Sequence, residues 1–266
     1  MNTLIDGRKR SSTRDAGPMT LWRLEVLRLS RTHRWMILLG VYVLFAVLGA
    51  LSARFFNELM GRVGGDITII APDPRPVDGL IQFVSNAGQM GLLAVVVVAA
   101  AALAFDAHPE RAAFLRTRMA HPGRLVVAPY VVNMLAAIVS LVIGTAVTVA
   151  LTAALVGPMP LVPVAIGTLY GALYLAFVVA VVAAAATLVR SQIATVFASL
   201  GVLIVLPILG LVDALQPWLP SQLLNAVIAI VEGAAATDYA RAALVAIAAI
   251  AGLLVLAARR LEVRES

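Results

Sequence analysis

The chain has 266 residues, of which 62% are hydrophobic and only 13% charged, with a mean hydropathy of +0.98 and a formal net charge of +6. Soluble domains carry about 25% charged and about 45–50% apolar residues, so this composition excludes an ordinary water-soluble fold and points to lipid as the solvent. The absence of cysteine excludes disulfides, zinc–thiolate centres and thiol nucleophiles, and the basic excess, all arginine except Lys9, suits membrane orientation better than nucleic acid binding.

Residues 1–18 are polar, rich in Ser and Arg, and read as a disordered basic tail. Residues 19–34 then alternate apolar and basic positions at helical spacing. Trp22, Val26 and Leu29 recur at i, i+4 and i+7, with Arg23, Arg28, Arg31 and Arg34 over much of the remaining surface and Glu25 among them. This pattern predicts a short amphipathic helix lying in the membrane interface, anchored by Trp22 and Trp35.

Six apolar segments follow, at 35–53, 79–105, 125–156, 161–189, 192–212 and 240–258. Each meets or nearly meets the ~20 residues that cross ~30 Å of hydrocarbon as a helix. Basic residues precede the first, and Ala50-Leu51-Ser52 resembles a cleavage site. Its apolar run is longer than the roughly 7–15 residues of a signal-peptide core, so a retained span is expected. Gly157-Pro158-Met159-Pro160 marks a tight turn between the third and fourth spans. Residues 213–239 are apolar but broken by Pro217 and Pro220, and read as a re-entrant or interfacial helix pair. The spans form one domain, 35–258, followed by a short tail, 259–266.

Orientation follows from the basic residues. With both termini in the cytoplasm, 16 of the 20 Lys and Arg fall inside; the outer side holds Arg54, Arg62, Arg75 and Arg241. Such a bias is the positive-inside signature. It places residues 106–124, DAHPERAAFLRTRMAHPGR, in the cytoplasm as the largest internal loop between spans. The outer loop 54–78 carries Glu58, Asp66, Asp73 and Asp78.

No Asp, Glu, Lys, Arg or His lies well inside any span. A charge at a helix centre costs about 2.5–3.5 kcal/mol on insertion scales, so its presence usually marks function. A proton-coupled transporter needs a carboxylate or histidine relay, and none is visible. An intramembrane metalloprotease needs an HExxH-like helix and an ATPase a Walker A lysine; neither motif is present. Small and polar residues do recur at helical spacing: Ser140, Gly144, Thr148 and Thr152; Gly167 and Gly171; Ser191, Thr195 and Ser199. Such stripes let membrane helices approach closely. Packing within one bundle is the plainer account, with a subunit interface or substrate path as the alternative. Asn86, Gln89 and Asn133 lie near span ends or line a wetted cavity.

The order of these features resembles the type-2 ABC transporter permeases over residues 19–262. Within 106–124, Glu110-Arg111 matches the acidic–basic pair common in that family, and Pro122-Gly123-Arg124 matches its proline-plus-basic ending. The Gly-Thr between them is replaced by Ala112-Ala113. The resemblance implies an all-helical polytopic membrane protein with six spans and the re-entrant helices before the last. Two permeases, a second copy or a paralogue, would pair with two copies of an ABC ATP-binding subunit. This chain would bind no cofactor or metal; ATP and Mg would be used by the partner ATPase. Residues 108–118 become a coupling helix, with His108, Glu110, Arg111, Phe114, Leu115, Arg116, Arg118 and also Arg124 as candidate ATPase contacts. Trp22, Arg23, Glu25, Arg28 and Arg31 become the interfacial helix that touches the ATPase and the membrane lipids. Asn86, Gln89, Ser191, Thr195 and Ser199 become candidates for the substrate path or the permease interface. The Ala, Val and Arg bias is that of a GC-rich bacterium, so the bacterial cytoplasmic membrane is the expected location.

Two alternatives stand beside this. A membrane enzyme built on Asp106, His108, Glu110 and His121 is disfavoured by spacing, since Pro109 and Pro122 directly follow the histidines and suit helix boundaries. A secondary transporter or a membrane assembly factor without ATP coupling fits the span count equally well.

Overall fold

A computed structural model describes residues 18–63, 73–104 and 123–265. The basic tail up to residue 17 and the loop residues 105–122 lie outside the described residues, and with them His108, Glu110, Arg111, Phe114, Leu115, Arg116 and Arg118. Among the described residues the chain is all-helical. Helix α1 spans Pro18–Arg31 and α2 spans Arg34–Val63. The second span is composite: α3 (Pro76–Asn86), a π-helical turn (Ala87–Gly91) and α4 (Leu92–Leu103). Then come α5 (Gly123–Leu155), α6 (Leu161–Leu188), α7 (Gln192–Leu209), the short α8 (Gln222–Ala229) and α9 (Ala240–Glu265). Single 3-10 turns, Gln216–Trp218 and Ala236–Tyr239, flank α8.

Six helical stretches are long and apolar enough to cross a membrane: Arg34–Phe55, Pro76–Leu103, Val126–Leu155, Leu161–Leu188, Gln192–Leu209 and Ala236–Leu261. They coincide with the six segments expected from hydropathy, shifted by a few residues at their ends. The chain is therefore a multi-pass membrane protein in its architecture.

The centre of the bundle is α6. Of its most apolar stretch 89% is buried by the rest of the chain, against 17% for α7 and for the last span. The reason lies in the sequence around Phe177–Ala186, where alanine and valine alternate in short runs and let neighbours approach from every side. Helices α5, α7, α8 and α9, and α4 of the composite span, all pack on it. The outward faces are made of large aliphatic and aromatic side chains such as Phe197, Ile204, Leu169 and Leu244, which suit contact with acyl chains.

Close backbone approach holds the inner contacts. A Cβ on Gly167 would sit 2.8 Å from Val227 Cα and 2.9 Å from Val227 O, so α8 rests directly on the α6 backbone. A Cβ on Gly49 would meet Gly79 O at 2.8 Å, where α2 crosses α3. Between α2, α3 and α5, Tyr42 and Phe83 meet edge to face at 6.4 Å, and Gly144 leaves room for the Phe83 ring and for Tyr42 Cβ. The Ser140 and Thr148 hydroxyls of the α5 stripe donate back to the carbonyls of Ala136 and Gly144. That stripe is thus turned into the bundle and serves packing.

The junctions are sharp. His33, at φ 53°, takes the left-handed conformation that turns α1 away from α2. Gly157, at φ 155°, adopts a conformation essentially reserved for glycine and opens the turn between α5 and α6. Pro18, assigned to the tail by sequence, instead begins α1, as suits a proline in a first helical turn.

This packing makes a matched prediction. Gly167→Ala forces Val227 backbone to move and lowers stability by about 1–3 kcal/mol, read as a fall in Tm of the detergent-solubilised protein. Gly201 and Gly252 have nothing within 4 Å of an added Cβ. Gly201→Ala and Gly252→Ala therefore leave Tm unchanged or raise it, since alanine favours helix by roughly 1 kcal/mol.

Candidate functional site

Two regions hold the polar groups that packing does not absorb. The first surrounds the π-helical turn. The sequence Ala87-Gly88-Gln89-Met90-Gly91 widens the second span near its middle, and such turns often occur at functional positions. Its two glycines face different neighbours: a Cβ on Gly91 would lie 3.0 Å from the Tyr42 ring, and one on Gly88 would lie 2.6 Å from Leu224 Cδ2 of α8. The turn accordingly sits between α2 and α8, and beside it opens a cavity of about 710 Å³.

The cavity is walled by the π-helical turn and α4, by α7 from Leu200 and the turn after it to Leu211, by Ser221 and α8, and by Tyr174 of α6. Its polar groups are Gln89, Tyr174, Ser221, Gln222 and Asn225, and none carries a charge at neutral pH. Asn225 Nδ2 donates to Gln222 Oε1 at 3.1 Å, while Ser221 Oγ is buried without a hydrogen-bond partner. A buried hydroxyl left unpaired costs about 1–3 kcal/mol, and here it stands at the wall of a cavity large enough for a small organic molecule.

The second region joins α1 to the end of the second span. Arg28 Nη2 donates to Ala101 O at 3.2 Å and Arg28 Nη1 to Ala102 O at 3.3 Å. The last carbonyls of a helix lack intrahelical donors, and a guanidinium is suited to satisfying two at once. Glu25 Oε2, 3.5 Å from Arg28 Nη1, keeps the arginine in place. Arg34 and Asn133 line the same small nook; Asn133 is buried, its Nδ2 donating to Pro129 O at 2.7 Å and its Oδ1 unpartnered. Arg28 therefore grips the helix just before the chain enters residues 105–122.

The residues singled out from sequence separate accordingly. Gln89 lines the cavity, whereas Asn86 turns its amide back onto Gln82 O at 2.9 Å. Ser191 caps α7, accepting from Ala194 N at 3.0 Å. Thr195 and Ser199 are fully buried inside the chain, their hydroxyls donating to the carbonyls of Ser191 and Thr195. In this conformation neither hydroxyl is offered to a partner surface. On α1, Glu25 and Arg28 form the grip, while Trp22, Arg23 and Arg31 are exposed. Arg124 lies in the first turn of α5. Ser221, Gln222 and Asn225 carry no sequence signal of their own, and only the fold of α8 against the second span brings them to Gln89. Two glycines and two amides within an apolar span were the available signal for the widened turn.

Comparisons of the chain with family models, with characterised proteins and with solved structures found no match.

The grip of Arg28 yields a prediction. Arg28→Gln removes charge-assisted bonds that are worth about 1.5–3 kcal/mol when fully desolvated and less here, where the side chain retains 23% of its exposure. Hydrogen exchange of the backbone at 99–104 rises and Tm falls, while Arg31→Gln, on the exposed face, leaves the exchange at 99–104 unchanged.

Proposed function

We propose that the chain is the membrane-spanning permease subunit of an ATP-driven ABC exporter in the bacterial cytoplasmic membrane. The observation that carries this reading is the grip of Arg28 on Ala101 and Ala102. It ties an amphipathic basic helix to the end of the second span, directly before the charged loop 106–124. A force applied to that loop by a cytoplasmic partner reaches the second span and α1 together. The uncharged spans support the same conclusion: with no membrane carboxylate to couple an ion and no nucleotide motif in the sequence, the driving energy comes from a separate subunit.

In this scheme both termini face the cytoplasm, α1 lies in the inner interface, and α8 is re-entrant from the outer side. Residues 106–124 dock on an ABC ATP-binding subunit, two copies of which serve a pair of permeases and consume ATP and Mg. Arginine–carboxylate pairs suit such docking because guanidinium binds carboxylate in a planar, bidentate way. The cavity beside the π-helical turn, lined by Gln89, Ser221, Gln222 and Asn225, receives the substrate. An ion placed there would be desolvated with no counter-charge, at a cost of several kcal/mol, so the transported molecule is an uncharged, hydrogen-bonding amphiphile.

Three measurements test this. The protein is expected to co-purify with an ABC ATPase, and Glu110→Arg with Arg111→Glu to abolish that association or uncouple hydrolysis from transport; normal assembly and transport in the double variant counts against the coupling role. Gradient-driven transport without ATP points instead to a secondary transporter. Leu200→Trp, which fills the cavity, leaves ATPase association intact and lowers transport at least tenfold.

A further inference from the structure

A second opening lies at the other end of the bundle, beneath α1. It is a groove of about 320 Å³ between α1, α2 and α5. Val26 and Leu29 of α1 roof it, Trp35 and Leu39 of α2 form one wall, and α5 forms the other from Val132 to Ile143. That run on α5 is about 16 Å long at 1.5 Å per residue, close to the ~15 Å depth of one leaflet's hydrocarbon. Its one polar side chain, Ser140, already spends its proton on Ala136 O at 2.9 Å. The groove thus asks for a hydrocarbon chain and offers that chain no hydrogen bond.

The mouth has the opposite character. Trp22 and Trp35 are both partly exposed there, as indoles at a headgroup level are. Arg23 stands one turn before Val26 on the same helical face, and Arg31 is exposed at the end of α1. The carboxylate of this segment, Glu25, is held by Arg28 on the side that faces α4. A positively charged rim over a dry groove of one-leaflet length matches a single class of occupant.

We propose that this groove is a binding site for an anionic phospholipid, one acyl chain lying between α1, α2 and α5 and the phosphate held at the arginine rim. The lipid completes the seat of α1 on the bundle. This site is separate from the cavity beside the π-helical turn and holds whatever energy source drives transport.

The test uses the full chain in detergent with phosphatidylglycerol or phosphatidylcholine of identical acyl chains. Native mass spectrometry is expected to show one phosphatidylglycerol retained per chain, and saturating phosphatidylglycerol to raise Tm by about 2–4 °C or more, with a smaller shift for phosphatidylcholine. Ala136→Phe fills the groove and removes both the retained lipid and the Tm shift. Arg23→Gln with Arg31→Gln, which leaves the groove intact, equalises the two lipids. Leu244→Trp, on a lipid-facing surface of α9, behaves as the parent and controls for loss of fold. Equal shifts for the two lipids in the parent protein, or a phosphatidylglycerol shift that survives Ala136→Phe, overturns the proposal. So does a change from dimer to monomer in Ala136→Phe, since the groove would then be covered by a second copy.

Discussion

The contact on which the rest of the architecture depends is the close seating of neighbours on α6. In hydrocarbon, apolar surface gains nothing by leaving the solvent, so helices associate through shape and short-range attraction. A residue such as Val227 earns its place only by approaching a glycine backbone, as it does at Gly167 and Gly171. The alanine and valine run through Phe177–Ala186 extends the same opportunity around the whole circumference of α6. Because α8 is fixed there, Leu224 is fixed against Gly88, and the cavity beside the π-helical turn acquires a rigid floor.

The hydroxyls follow a related economy. In the interior, Ser140, Thr148, Thr168, Thr195 and Ser199 each donate to a carbonyl one turn back on their own helix. Such bonds satisfy the hydroxyl without demanding a partner helix, and they make a polar residue compatible with an apolar bundle. Against that background the unsatisfied atoms stand out. Thr145 Oγ1 and Thr152 Oγ1 lie inside α5, Asn133 Oδ1 lies in the nook that Arg28 and Arg34 share, and Ser221 Oγ lies at the cavity wall.

The six spans were legible because hydropathy over a length of some twenty residues is a one-dimensional property. The amphipathic first helix was legible for the same reason, its period being local. The π-helical turn was not, because its extra residue per turn leaves hydropathy unchanged; only the cluster of Gly88, Gly91, Asn86 and Gln89 hinted at it. Ser191, Thr195 and Ser199 formed a true helical stripe, yet a stripe has no direction until the neighbours of α7 are known. Arg28 could be seen to be basic and amphipathic in setting. That its guanidinium reaches Ala101 and Ala102, more than seventy residues away, is a tertiary fact with no local signature.

The placement of charge gives the architecture its logic. Ionisable side chains gather at the two ends of the bundle: Glu25, Arg28 and Arg34 at one, Arg75, Asp78 and Glu232 at the other, where Arg75 pairs with Asp78 at 3.0 Å and with Glu232 at 3.9 Å. The cavity beside the π-helical turn is mostly apolar, and its few polar groups are uncharged. On the proposed permease reading this division suits a chamber offered alternately to two sides of a membrane, since an empty chamber with a fixed charge would bind ions or water tightly and resist closing. Amides, by contrast, satisfy one another without a charge, as where Asn225 Nδ2 donates to Gln222 Oε1. On that same proposed reading the charged ends serve as attachments, to headgroups and to neighbouring subunits, and the uncharged middle recognises what passes.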